Sequence, residues 1–200
     1  MSQIALPLEI DIPGTGDGYL ISESNADIHR QLQNSDKWPN GTAILIGENR
    51  SGKSSMVAAF ARETGGMVLD DAEREDDEPV FHLWNLAREE GRPLLLTSSR
   101  PVAEWGVSLP DLQSRLAASL LLEIGPPDER MIEGLLQQYF AKRGLSISQD
   151  ALGYLIKRME RSYHNVELLA QKMDKIAIER QKSITLAIAK TALLEQQTES

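Results

Sequence analysis

Residues Gly47-Glu48-Asn49-Arg50-Ser51-Gly52-Lys53-Ser54 follow the apolar run "TAILI" and lead into "SMVAAFARET". The spacing is G-x-x-x-x-G-K-S, set between a compact buried-type strand and a helical pattern, the context in which such a loop cradles phosphate. Gly47 and Gly52 permit a tight loop whose backbone N–H groups point inward at phosphate oxygens. The helix that begins after the loop adds the positive end of its dipole. Lys53 reaches the β- and γ-phosphates, and the Ser54 hydroxyl is placed to bind Mg²⁺. The run from Gly47 to Ser55, with Glu48, Asn49, Arg50 and Ser51 in its middle, is therefore the candidate nucleotide-binding loop. ADP or ATP with Mg²⁺ are the expected cofactors. The competing reading is a surface turn entering a helix, or a loop that no longer binds.

A loop of this kind sits on a parallel sheet, and the flanking pattern supplies one. Apolar runs at 42–47, 67–71, 93–99 and 119–125 read as strands, separated by helical patterns at 54–64 and 78–91. Strands alternating with helices imply a parallel sheet covered on both faces. "SNADIHRQLQ" reads as a short helix capped near Ser24 or Asn25, after a flexible turn region at 13–18. Beyond "GPP" at 125–127 the pattern becomes helical only, with N-caps near Ser148 and Ser162 and a last helix in "TLAIAKTALL". The expected organisation is a tail over 1–12, an α/β domain over 13–124 and a small helical domain over 125–200.

The chain has 200 residues, a formal net charge of −9 and no cysteine. The acidic balance opposes broad nonspecific DNA binding, which relies on clustered Lys and Arg. Without cysteine there is no disulfide framework and no thiolate metal site. The N-terminus has neither a basic flank nor a long apolar run, and no segment approaches a membrane span. A soluble, cytoplasmic protein is the expectation.

Two further polar groups fall at strand ends. "MVLDD" closes on Asp70-Asp71, and an acidic pair at the carboxyl end of a parallel strand lies beside bound phosphates. Asp70 would hold Mg²⁺ through water, and Asp71 would orient or deprotonate an attacking water. Alternatively the pair only begins the solvated acidic run "EREDDE". The third strand ends "TSSR", so Thr97, Ser98 and Ser99 are able to contact a γ-phosphate or the attacking water; N-capping of the next segment is the plain alternative.

The order of phosphate loop, "LDD", "LLLTSSRP", "LPDLQSRL" and a helical region resembles the AAA+ ATPases of the bacterial replication initiator DnaA, and more closely the Hda/DnaA-like group behind regulatory inactivation of DnaA. The resemblance covers about residues 19–195, and "LTSSRPVAEWGVSLPDLQSRLAASLLLEIGPPDER" is its most specific part. It implies an AAA+ parallel-sheet domain followed by an α-helical lid. Only about a dozen residues part the loop helix from "MVLDD", where the family usually has another strand and helix, so the sheet is expected to be trimmed to four or five strands. Arg115 in "LPDLQSRL" matches the family's arginine finger, which acts across a subunit boundary on the partner's γ-phosphate. Against that stands a simple i,i+4 pairing of Arg115 with Asp111. The family's lid sensor arginine aligns near His164, with Arg161 a nearby substitute. The resemblance lays "YLISESN" over the base, making Tyr19, Leu20 and Ile21 candidate adenine walls, and Arg50 stands where DnaA commonly has glycine.

The same resemblance gives the tail a role. "QIALPL" fits the short motif with which members of this group dock on the DNA polymerase sliding clamp, through Gln3, Leu6, Pro7 and Leu8. A stiffened Leu-Pro-Leu fills an apolar groove at reduced entropic cost; the alternative is a tail packed on its own domain. The implied protein is a nucleotide-bound regulator, with ADP the favoured ligand, that docks on the clamp and stimulates ATP hydrolysis on DnaA. A homodimer is a further partner expectation, while strong direct DNA binding and membranes are not expected. An autonomous ATPase and a nucleotide-independent adaptor are the competing functions.

Overall fold

The computed structural model describes residues 15–16, 19–180 and 183–199. The tail with Gln3, Leu6, Pro7 and Leu8 lies outside them. Within the expected turn region, β1 (Thr15–Gly16) pairs antiparallel with β2 (Tyr19–Leu20).

The main sheet has four parallel strands: β3 (Thr42–Ile46), β4 (Met67–Leu69), β5 (Leu94–Ser98) and β6 (Leu120–Glu123), ordered β4-β5-β3-β6. The expected trimming is present, but the link from the loop helix to β4 is not a dozen residues: only Gly65 and Gly66 lie between them, and the dozen residues between the loop and β4 are mostly the helix itself. Asp70 and Asp71 stand just past the end of β4, in the turn rather than in the strand.

Alternation along the strands sorts their side chains onto two faces. Ala43, Leu45 and Leu95 join a core with Ile28 and Leu32 of α1 (Ala26–Gln33) and Met56 and Phe60 of α2 (Lys53–Thr64). Trp38 stacks on Phe60 there, with ring centroids 5.1 Å apart. Ile44, Ile46, Leu94 and Leu96 face Val80 and Trp84 of α3 (Asp77–Glu89) and Leu112 and Leu116 of α4 (Pro110–Ala117). Ile44, Leu45, Leu94, Leu95 and Leu96 are wholly buried, each such side chain contributing about 1.5–3 kcal/mol of transfer free energy.

The helical part comprises α5 (Glu129–Ala141), α6 (Gln149–Ile156), α7 (Tyr163–Arg180) and α8 (Leu186–Glu199), with its own core of Ile132, Leu136, Phe140, Leu155, Leu169 and Met173 among others. Ser148 caps α6 by accepting the Ala151 N–H, and the Ser162 hydroxyl accepts the Asn165 N–H at the start of α7. Two lid residues, Met131 and Tyr163, belong instead to the core of the α/β part, so the lid rests on it. Among the described residues no helix is long and apolar enough to cross a membrane.

One carboxylate ties these parts together. Asp128 caps α5 by accepting the Met131 N–H at 2.8 Å, and its other oxygen accepts the Ser24 N–H at 2.8 Å. Asn25 does not cap α1 with its side chain; it accepts the Ser22 N–H and donates to the Leu20 carbonyl, fixing the segment that leads into the site. Burial works to raise the Asp128 carboxyl, and the Ser22 hydroxyl with the Met131 and Ser24 N–H groups outweighs it, so the pKa lies below the usual value. A lowered carboxyl stabilises the fold above its unfolded pKa, about 3.9, and loses that contribution as pH falls through the folded pKa. Asp128→Ala is expected to destabilise by about 1–2 kcal/mol at pH 7. In urea denaturation the deficit should shrink by about pH 3; an equal deficit at both values would refute this origin.

Candidate functional site

The phosphate loop turns at the carboxyl end of β3 because its glycines allow it. A Cβ on Gly47 would come within 2.6 Å of the Ser51 hydroxyl, and Gly52 adopts φ +91°. Arg50 takes φ +71°, one of three non-glycine residues with positive φ among those described. The Lys53 ammonium, buried, donates to the carbonyls of Gly47 at 2.7 Å and Glu48 at 3.1 Å. The Ser51 hydroxyl is buried with no hydrogen-bond partner. A cleft of about 390 Å³ opens over this loop, lined by Asn49, Arg50, Gly52, Lys53, Ser54, Ser55, Asp70 and Asp71.

The acidic pair faces this cleft. Ser54 donates to Asp70 Oδ2 at 2.9 Å, and the Thr97 hydroxyl donates to Asp70 Oδ1. The same Thr97 oxygen accepts the Asp71 N–H at 2.9 Å, while the Asp71 carboxylate lies 3.7 Å from Arg74. Three segments that sequence alone leaves apart, the loop helix, the acidic turn and the end of β5, therefore meet at Asp70. Its oxygens and that of Ser54 form a hard, oxygen-only pair suited to Mg²⁺. Among the described residues no cluster of three His, Cys, Asp or Glu side chains could hold a metal, so an ion here would draw its remaining ligands from phosphate and water.

Ser98 and Ser99 lie beyond Thr97 and serve the next turn. Ser98 Oγ donates to the Arg100 carbonyl at 2.7 Å and accepts the Arg100 N–H. Ser99 donates through its hydroxyl at 2.6 Å and its N–H at 2.8 Å to Glu73. Burial works to raise the Glu73 carboxyl, but these bonds outweigh it and hold the pKa low. Of Thr97, Ser98 and Ser99, it is Thr97 that bonds to the acidic turn lining the cleft.

A second cleft of about 120 Å³ adjoins the first, sharing Arg50, Gly52 and Ser55 with it. Tyr19 and Leu20 line it, with Met56, Met131, Leu135 and Tyr163, and the Tyr163 hydroxyl is buried without a partner. Ile21 instead lines a separate cavity with Leu20, Arg130 and Met131. His164 is exposed and lines neither cleft; Arg161 pairs with Glu129 at 2.6 Å. The lid cation lining the second cleft is Lys142. Sequence reading missed Met131, Leu135 and Tyr163 because they enter as apolar helical residues indistinguishable from core, and Lys142 because a lysine at a helix end is an ordinary surface residue.

Arg115 lies partly buried on α4. Its guanidinium donates to Asp111 through Nε at 3.1 Å and Nη2 at 2.7 Å, and to Asn85 at 2.6 Å. It also stacks 4.4 Å from the Phe81 ring centroid and 4.2 Å from that of Trp84. The i,i+4 pair with Asp111 is thus formed, within a larger cage.

Thr97 is wholly buried, so removing its hydroxyl leaves the Asp71 N–H without its acceptor. Thr97→Val is expected to cost about 1–3 kcal/mol in urea denaturation, with Thr97→Ser close to the parent. Equal losses in both would mean that the methyl group, not the hydroxyl, matters here.

The family model for the Hda lid domain matches residues 128–193. Among solved structures, domain III of Thermotoga maritima DnaA superposes with a TM-score of 0.72 at 13% identity, covering 95% of this chain and 98% of that one. AMPPCP-bound DnaA from Aquifex aeolicus gives 0.58 at 15% identity, with 81% and 62% covered. The Thermotoga maritima RuvB Holliday junction branch migration motor gives 0.61 at 14%, with 86% and 69% covered. Residues 128–193 thus match the Hda lid domain, and the four-stranded parallel sheet, with the phosphate-loop motif after its inner strand β3, has the fold of these DnaA and RuvB structures.

Proposed function

We propose that the chain binds an adenine nucleotide with Mg²⁺ and regulates replication initiation by stimulating ATP hydrolysis on DnaA. The observation that carries the nucleotide reading is the convergence of Lys53, Ser54, Asp70 and Thr97 at one cleft, beside an orphaned Ser51 hydroxyl. AMPPCP in a DnaA of the same fold supports it. Lys53 would exchange the carbonyls of Gly47 and Glu48 for phosphate oxygens, and the loop N–H groups with the α2 dipole would take up the remaining charge. Ser54 and Asp70 would hold Mg²⁺, which neutralises charge on the outer phosphates. Tyr19 and Leu20 would wall the base.

The regulator reading assigns Arg115 to a partner's nucleotide. All its polar partners are on α3 and α4, none in this chain's own phosphate loop, as a finger acting in trans requires. Two of its five N–H donors stay unused by Asp111 and Asn85, and these are the ones that would meet the phosphate of ATP on DnaA. The tail residues Gln3, Leu6, Pro7 and Leu8 would place the module on the sliding clamp.

The test is ATP hydrolysis by DnaA in the presence of DNA-loaded clamp and this protein. Arg115→Ala is expected to lower the stimulation by about 10³-fold or more, the scale of a trans arginine. Stimulation that survives this change would remove Arg115 from the role. Deleting residues 1–8 is expected to abolish clamp pull-down and leave the thermal midpoint unchanged; a large fall in the midpoint would instead favour a self-packed tail.

A further inference from the structure

The lid touches the phosphate loop through two carboxylates of opposite origin. Glu48 of the loop accepts the Tyr163 N–H at 2.7 Å, at the first residue of α7. One turn further along the same helix, Glu167 accepts from the Arg50 guanidinium. Residues four apart lie on one helical face, so α7 rests on the loop by a single side. Gln171, a further turn on, donates to the same Glu167 oxygen at 3.0 Å and keeps that carboxylate turned toward the loop.

Arg50 has two calls on its charge. Its side chain lines the phosphate cleft, the adjoining base cleft and a third cavity between α5 and α7. The pair it makes with Glu167 is open to water, with side chains 56% and 25% exposed, and such a pair contributes little to folding. It is therefore free to exchange for a better anion. Phosphate is such an anion for a guanidinium. Any phosphate drawn to Arg50, however, arrives next to the Glu167 carboxylate, and each further phosphate adds about one negative charge to that encounter. Of the other lid cations, Arg143 is held by Asp174 at 3.1 Å and Arg161 by Glu129, and Lys142 lines the base cleft and the third cavity but not the phosphate cleft.

We propose that Glu167 is a specificity-determining residue of the nucleotide site, its carboxylate competing with phosphates for Arg50 and biasing the cleft toward a nucleoside diphosphate over the triphosphate. The inference rests on the nucleotide reading of the cleft. It assigns the discrimination to a lid acid paired with a loop arginine, and not to His164 or Arg161.

Titration calorimetry on the full chain, with Mg²⁺ and low salt, tests it using ADP and the non-hydrolysable AMPPCP as probes. Glu167→Gln is expected to tighten AMPPCP by about five- to tenfold and to change ADP by less than about twofold. Arg50→Gly is expected to weaken AMPPCP more than ADP, because the acid is then uncompensated. The double variant should recover most of that loss, a non-additivity expected of a touching pair. Raising the salt should shrink all these differences. An unchanged AMPPCP-to-ADP ratio in Glu167→Gln, with both probes still bound, would overturn the inference and leave the nucleotide site standing. Absence of heat from both probes with the parent protein would overturn the nucleotide reading itself and the inference with it.

Discussion

The burial of β3 on both faces, with β5 and β6 on its two edges, fixes where everything else in the site can be. A strand so enclosed can meet solvent only at its ends, and its carboxyl end delivers Gly47 directly into the loop. The Gly47 N–H still bonds to the Ser98 carbonyl of β5 at 3.1 Å, so the loop starts in register with the neighbouring strand. Parallel pairing then brings the ends of β4 and β5 to the same level. That is why the hydroxyl of Thr97 can reach Asp70 although 27 positions separate them.

The lid is held by different physics. Its interior is an apolar helical core, while its contact with the α/β part mixes two buried side chains, Met131 and Tyr163, with polar ties at Asp128, Glu48 and Glu167. Apolar contacts tolerate small sliding, whereas charged ties are sensitive to any anion in the cleft. Arg115 shows the other extreme. A bidentate carboxylate, an amide and two aromatic rings hold its guanidinium, so its orientation is set before any partner arrives, and the Asp111 charge tempers the field it presents.

What was legible in the sequence follows the range of the signal. The loop motif, the strand runs and the Ser148 and Ser162 caps are local, and each stands where the pattern put it except the end of β4, which stops before Asp70. The short spacing ahead of "MVLDD" announced a trimmed sheet for the same reason, although the link itself is only Gly65 and Gly66. The choice among Thr97, Ser98 and Ser99 was not legible, because strand register, not residue type, decides which hydroxyl points at Asp70. Nor was the cleft wall from the lid: Met131, Leu135 and Tyr163 sit in helical stripes that any core would produce. The pairing of Arg50 with Glu167 spans 117 positions, and an exposed arginine and glutamate carry no mark of each other in a sequence.

The missing strand has one more consequence. It leaves β4 as a three-residue edge, paired to β5 alone, and Asp70, which lines the cleft over the loop, follows directly on it. Amide hydrogens of Met67–Leu69 therefore belong to a unit that opens at a lower free energy than the central β3 and β5 ladder. Since Thr97 and Ser54 are the fasteners of Asp70, this edge can fray without unfolding the protein. An opening of this edge alone would part Asp70 from Ser54 and Thr97 while β3 and β5 stay paired.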